Sequence, residues 1–115
     1  MNMPSLQDES AFHTAVDAVL AAIETSVEAA MADSDIDVDS QISGGILALS
    51  FENQSKVIVN RQAFNREIWV AAKSGGFHFR FIDGAWQDTR SGEPLAALLT
   101  RVVSEQAACV MSITL

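Results

Sequence analysis

The fold of this chain is decided by residues 68–81, IWVAAKSGGFHFRF. Apolar residues occupy alternate positions at Ile68 and Val70, and after Ser-Gly-Gly the alternation resumes with Phe at positions 77, 79 and 81. A period of two residues is typical of strands that bury one face. Strands joined by a short turn must pair antiparallel. The stretch therefore predicts a hairpin with one buried face, and it directs Trp69, His78 and Arg80 to the other face.

Further strands are predicted on both sides of this hairpin. The same alternation predicts strands over residues 35–42, 46–52 and 56–61, with Gly44-Gly45 as a tight turn between the first two. On the other side, Asp83-Gly84 is a strong two-residue hairpin signal that leads into a short strand over residues 85–87. We therefore expect five or six antiparallel strands.

Two amphipathic helices flank these strands. Residues 10–31 carry apolar side chains at helical spacing behind Ser10 as the N-cap, and a second helix opens at Pro94 and ends near Ala108. Both helices must bury an apolar stripe, and one face of the sheet can cover them. The sequence predicts an α+β fold, a two-layer sandwich of both helices on one sheet face. We expect residues 1–115 to be a single domain, with residues 1–9 as a flexible N-terminus.

The charge of the chain is strongly polarised. The first 55 residues hold ten acidic residues and no Lys or Arg, whereas the last 60 hold five acidic and all seven basic residues. The acids are densest between Asp33 and Asp39, where they occupy every second position. In a strand, such neighbours lie roughly 6.6 Å apart and repel each other by about 0.6 kcal/mol even in water. A cation or a positively charged partner would relieve this repulsion.

We call the carboxylates of the first helix and the following segment the acidic ridge. Its members are Asp17, Glu24, Glu28, Asp33, Asp35, Asp37 and Asp39. Three interpretations remain open at this point: a solvated face that aids solubility, a weak site for a hard cation such as Ca²⁺, Mg²⁺, Mn²⁺ or iron, and a docking surface for a basic protein. An EF-hand loop does not fit, because Val38 and Gly44 stand where that loop requires Gly and Glu.

The outward face of the sheet is the second candidate site. An exposed Trp surrounded by polar side chains is typical of a protein-binding hot spot. The predicted partner-binding residues are Asn60, Gln62, Trp69, His78 and Arg80. The alternatives are that a loop covers Trp69 or that the strand register is shifted by one residue, which would turn these side chains inward.

Other classes of function find little support in the sequence. A net charge of −8 disfavours nucleic-acid and membrane-surface binding. We expect neither a membrane span nor a secretory signal. The pattern contains no catalytic constellation, so we predict no catalytic residues, a non-enzyme and no organic cofactor. The single Cys109 is predicted to be a core residue and His13 a surface residue, with metal ligation by His13 as the alternative.

The chain resembles the bacterial frataxins over nearly its whole length. The resemblance is carried by several short pieces in a fixed order and spacing: Phe12-His13, Ser34-Asp-Ile-Asp37, Gly44-Gly45, Ser50-Phe-Glu-Asn53, Asn60-Arg-Gln62, Ile68-Trp-Val-Ala71, Ser74-Gly-Gly-Phe77 and Asp88-Thr-Arg-Ser-Gly-Glu93. The fold that this resemblance implies is a helix–sheet–helix sandwich, in agreement with the prediction from the pattern.

The resemblance also implies a function. It indicates a cytoplasmic, monomeric, iron-binding accessory and regulator of iron–sulfur cluster assembly, with the cysteine desulfurase and the scaffold protein as partners. The acidic ridge corresponds to the iron and desulfurase surface of the family, and Asn60, Gln62 and Trp69 correspond to its sheet-face partner surface. The chain departs from some relatives at Ala29-Ala-Met31, where they carry more acid, and an extra residue near Ser40 shifts Asp39. A ferroxidase or an iron-storage protein using the same carboxylates is the alternative.

Overall fold

The computed structural model describes residues 8–115. In chain order these residues form helix α1 (Glu9–Ala32), strands β1 (Val38–Ser43), β2 (Ile46–Phe51), β3 (Lys56–Gln62), β4 (Glu67–Ala72), β5 (Gly75–Ile82) and β6 (Ala85–Asp88), and helix α2 (Leu95–Ala107). The six strands make one antiparallel sheet in which each strand pairs with its neighbours in sequence. The predicted α+β sandwich is confirmed, and its sheet has six strands, in agreement with the expected five or six.

One core lies between the helices and the sheet. Both helices bury an apolar stripe against the inward side chains of the strands, and the register aligns those side chains in rows such as Leu47, Val59 and Val70. Phe12 of α1 and Phe79 of β5 are among the largest fully buried side chains. The predicted inward direction of residues 77, 79 and 81 holds for Phe79 and in part for Phe77, whereas Phe81 is exposed beside edge strand β6.

The start of α1 differs from the prediction. Asp8, not Ser10, is the N-cap, because its side chain accepts a hydrogen bond from the backbone N–H of Ala11 at 3.1 Å. Glu9 is already helical, so α1 with its cap takes up positions 8 and 9 of the segment expected to be a flexible N-terminus. For residues 1–7, that expectation lies outside the described part of the chain.

The first strand is also shorter than predicted. β1 begins at Val38, which pairs with Phe51, the last residue of β2. Among residues 8–115 no strand pairs with residues 33–37, which therefore form a loop. The Ser34 hydroxyl accepts from the N–H of Ile36, and the Glu52 side chain accepts from the N–H of Asp37 at 2.9 Å. The segment alternates in sequence like a strand, but it is a loop whose backbone N–H groups are bonded to side chains.

The chain continues past α2 as an extended tail that completes the core. Ala108 adopts a left-handed conformation as the C-cap, after which Met111 and Ile113 point into the core. Ser104 and Thr100 of α2 accept from the N–H groups of Met111 and Ile113. Cys109, at the turn into the tail, is only half-buried, so its prediction as a core residue is wrong.

The loop before α2 is built around a buried carboxylate. The Asp88 side chain accepts hydrogen bonds from the N–H groups of Arg90 and Ser91, and the Asp88 N–H donates to the carbonyl of Glu93. The Glu93 carboxylate in turn accepts from Arg101 of α2 at 2.9 Å. This hydrogen bond is the main reason that the pKa of Arg101 is raised. The segment 88–93 thus has a structural role, since it anchors α2 to the sheet.

Candidate functional sites: the acidic ridge and the sheet face

The acidic ridge lies along one edge of the molecule. Asp17, Glu24 and Glu28 follow one side of α1, the loop after α1 contributes the next three acids, and Asp39 lies on the edge strand β1. Six of these seven residues are exposed, and Glu24 is half-buried. The ridge therefore draws its carboxylates from a helix, a loop and an edge strand, and Asp39 points to the face of the sheet opposite to Ser40, which contacts α1.

Two ridge carboxylates have contacts that fix them in place. Glu24 accepts a hydrogen bond from the Ser40 hydroxyl at 3.1 Å, which joins α1 to β1. The Asp17 carboxylate forms an ion pair with the guanidinium of Arg61, which lies on β3. Asp17 is the one ridge acid with an ion pair among residues 8–115. Sequence reasoning missed Arg61, because its position on the inward face of a strand predicts an apolar residue.

The ridge carboxylates do not converge on a common point. Within residues 8–115, no three acidic, His or Cys side chains come together in a group that could hold a metal ion. The oxygens are hard donors, which suits iron or Mg²⁺ in kind, but each would act singly or in pairs. Such an arrangement can support weak, exchangeable binding spread over the surface, and it does not form an enclosed centre.

His13 lies in the N-terminal part of α1, one turn before Asp17, and contacts Arg61. Its Nδ1 is 3.2 Å from a terminal nitrogen of the Arg61 guanidinium, and its Nε2 is 3.6 Å from the Glu9 carboxylate. Because a guanidinium can only donate, Nδ1 acts as the acceptor in this contact. His13 is half-buried rather than fully on the surface, and one of its two ring nitrogens is already occupied.

The opposite face of the sheet carries the predicted polar and aromatic cluster. The register places Asn60, Trp69 and His78 side by side across β3, β4 and β5, and it places Gln62, Glu67 and Arg80 in the next row. The predicted register is correct, and within the described residues both helices lie on the other side of the sheet. Trp69 is 39% exposed, so neither a loop nor a register shift buries it.

Trp69 and His78 form a stacked pair. Their ring centroids are 4.3 Å apart, and their planes differ by 9°. Asn60 and Gln62 use their side-chain oxygens locally: Asn60 accepts from the N–H of Arg61, and Gln62 accepts from the N–H of Asn65 in the β3–β4 turn. The aromatic pair is therefore the part of this face that offers a flat apolar surface of fixed orientation.

Glu67 belongs to the same face and was not predicted. It is 4% exposed, although it lies on the side of the sheet that the helices leave open. Its two carboxylate oxygens accept hydrogen bonds from Trp69 Nε1 and from Arg80 Nε, both at 2.8 Å. A signal for it exists in the sequence, since Glu67 is two residues before Trp69 and so shares its face. The predicted strand begins one residue too late to include it.

The comparisons with known proteins agree with this architecture. A family model described as a frataxin-like domain matches residues 5–109. The iron–sulfur cluster assembly protein CyaY of Burkholderia mallei is 55% identical over 94 residues, which cover 82% of this chain and 86% of that protein. The protein of the same name from Paraburkholderia phymatum is 50% identical over 99 residues, or 86% and 90% of the two chains.

Solved structures show the same likeness. Frataxin from Psychromonas ingrahamii superposes with a TM-score of 0.81 at 32% identity, over 93% of this chain and 98% of that one. Trimeric frataxin from the yeast Saccharomyces cerevisiae, crystallised with ferrous iron, superposes with a TM-score of 0.66 at 26% identity, over 94% and 90% of the two chains. The fold is thus of the frataxin class of α+β sandwiches.

This chain belongs to the frataxin family. The resemblance noted in its sequence is confirmed, and the relatives from Burkholderia and Paraburkholderia are named as iron–sulfur cluster assembly proteins. No helix within residues 8–115 is long and apolar enough to cross a membrane.

Proposed function

We propose that this protein is an iron-binding accessory and regulator of iron–sulfur cluster assembly, and that it acts in the cytoplasm as a monomeric, non-catalytic adaptor. The acidic ridge docks on the cysteine desulfurase, and the sheet face docks on the scaffold protein. The proposal rests on family membership together with one observation: one sandwich exposes two chemically different surfaces, an acidic one along α1 and the loop after it and an aromatic one on the open face of the sheet.

The ridge is suited to electrostatic docking. Among the ridge acids of residues 8–115, only Asp17 has an ion pair, so the other six are not neutralised by a basic side chain of the described residues. Exposed charges of one sign accelerate association with an oppositely charged surface and make it sensitive to salt. Glu28, Asp33, Asp35, Asp37 and Asp39 are exposed and are the residues that we assign to this contact.

Iron is proposed to bind the same carboxylates. The relative crystallised with ferrous iron supports the metal, and the oxygen donors of the ridge suit it in kind. Because no three donors converge within residues 8–115, the binding is expected to be weak and to exchange readily. Iron and the desulfurase then compete for one surface, so the iron concentration regulates docking.

The sheet face is suited to a different type of contact. Trp69 and His78 offer a flat stacked surface, with Arg80, Asn60 and Gln62 beside it. Aromatic residues in such settings supply much of the binding free energy in protein complexes, and their contribution changes little with salt. We assign this face to the scaffold protein.

A reconstituted cluster-assembly reaction tests the proposal. The rate of cluster formation is measured with and without the protein over a range of iron concentrations, using Asp35→Asn/Asp37→Asn and the control Asp83→Asn/Glu105→Gln. Both variants remove two negative charges from exposed positions, but only the first changes the ridge. The wild type and the control should alter the rate in an iron-dependent way, and the ridge variant should lose at least half of the effect.

Two other results would contradict the proposal. Equal behaviour of the two variants would show that net charge, not the ridge, is responsible. Catalytic consumption of Fe²⁺ and oxygen that depends on the ridge would indicate a ferroxidase, and large iron-loaded assemblies in sedimentation would indicate an iron store.

A further inference from the structure

The sheet face contains a buried carboxylate in a setting that should be open to water. Glu67 is 4% exposed, while its neighbours on the same face of β4, Trp69 and Ala71, are exposed. Burying a carboxylate is unfavourable unless hydrogen bonds and opposite charge compensate for the lost hydration. Here the Trp69 indole and the Arg80 guanidinium each donate to one oxygen at 2.8 Å. Glu67 is thus the centre of the cluster and not a peripheral member.

These contacts determine how Trp69 is held. One face of its ring stacks on His78 at 4.3 Å, and its only polar atom is bonded to Glu67. Stacking alone leaves the ring able to slide or turn over, whereas a hydrogen bond at the ring edge selects one orientation. A side chain that is already held in its bound orientation loses less conformational entropy on association.

We propose that Glu67 is a positioning residue that holds Trp69 in the orientation used for partner binding. The proposal rests on the function proposed above, in which the sheet face binds the scaffold protein. It also defines the chemistry of the partner. Because the indole N–H is already bonded within this protein, the partner needs no acceptor for it and should meet Trp69 with an apolar surface.

The test uses two substitutions of similar length at the same site. Glu67→Gln keeps an oxygen that can accept from the indole N–H, and Glu67→Met fills the space without an acceptor. The first readout is the indole N–H signal in ¹H–¹⁵N NMR spectra, for which Trp86 is the internal reference, since the chain has two Trp residues. With Met at position 67, the Trp69 signal should shift and exchange with water at least tenfold faster, while Trp86 stays unchanged. With Gln, both signals should resemble those of the wild type.

The second readout is affinity for the scaffold protein. Glu67→Met should weaken binding at least fivefold, and Glu67→Gln should stay within twofold of the wild type. In a Trp69→Phe background, which lacks the indole N–H, the Glu67→Met change should cost less than twofold. Equal losses for Gln and Met would show that Glu67 acts through its charge, and an unchanged Trp69 signal with Met would show that it does not position the ring. Either result overturns the proposal.

The two readouts separate this proposal from the docking proposal. The NMR measurement needs no partner, so it reports on Glu67 and Trp69 even if the scaffold does not bind. If the signals change as expected but the wild-type protein shows no affinity for the scaffold, docking on the sheet face is overturned and the positioning of Trp69 by Glu67 stands.

Discussion

The guanidinium of Arg61 lies 2.6 Å from the Asp17 carboxylate and joins β3 to α1. The same guanidinium also donates to the carbonyls of His13 and Gly45, so a single side chain links the helix, the central part of the sheet and the β1–β2 turn. The turn accommodates it because Gly45 has a φ of 76° and no side chain; an added Cβ would lie 3.3 Å from Arg61 Nη2.

This arrangement predicts that removing Arg61 costs more free energy of unfolding than removing its ion pair with Asp17 alone. Arg61→Met removes the bonds to two carbonyls as well as the ion pair, and should lower the free energy of unfolding by about 2 kcal/mol. Asp17→Asn removes only a pair in which Asp17 is 65% exposed. It should cost about 0.5 kcal/mol or less. Urea unfolding of both variants checks this, and equal losses would show that the carbonyl contacts contribute nothing.

The unpaired ridge carboxylates predict an unusual response to salt. Repulsion among them weakens as the ionic strength rises, so the melting temperature should increase from low to moderate salt. Asp35→Asn/Asp37→Asn should raise the stability at low salt by about 0.5 kcal/mol and reduce the salt dependence, because less repulsion remains. Thermal unfolding followed by circular dichroism provides the measurement. A melting temperature that is independent of salt in the wild type would mean that these acids do not repel each other appreciably.

Substitutions at two neighbouring residues of the C-terminal tail, Val110 and Met111, should differ sharply in their effect on stability. Met111 is 1% exposed and packs in the core, whereas Val110 is 84% exposed. Met111→Ala should therefore lower the free energy of unfolding by about 2–5 kcal/mol, since it leaves a cavity. Val110→Ala is the matched control and should be close to neutral. Similar values for the two variants in chemical unfolding would indicate that the tail does not pack on the core in solution.

The sheet is predictable from the sequence because burial of one face imposes a two-residue period on each strand. The outward direction of Trp69, His78 and Arg80 follows from that period alone. The segment 33–37 has the same period and is nevertheless a loop, because β2 ends at Phe51, opposite Val38, and no other strand of residues 8–115 pairs with the segment. Periodicity describes one strand at a time, so it cannot indicate where the neighbouring strand ends.

The contacts of the candidate sites are less predictable for a related reason. Arg61 and Glu67 are charged residues whose burial depends on groups far away in sequence, namely Asp17 for the first and Arg80 for the second. The two-residue period places Glu67 on the face of Trp69, but it does not indicate the ion pairs that compensate for the burial of Glu67 and Arg61. The location of the two surfaces can therefore be predicted from the pattern, whereas the side chains that organise them become apparent only in three dimensions.

The final prediction distinguishes the two proposed docking surfaces by a paired measurement on Trp69→Ala. Trp69 is partly exposed, so its removal should lower the free energy of unfolding far less than Phe79→Ala, which truncates a fully buried ring and should cost about 3–5 kcal/mol. The same Trp69→Ala protein should bind the scaffold more weakly by about 2 kcal/mol or more, with little change in the salt dependence. Asp35→Asn/Asp37→Asn should instead weaken desulfurase binding mainly at low salt, because those charges steer association. Melting curves together with binding isotherms at two salt concentrations provide all of these values. A large loss of stability with unchanged affinity for Trp69→Ala would show that Trp69 supports the sheet and does not bind a partner.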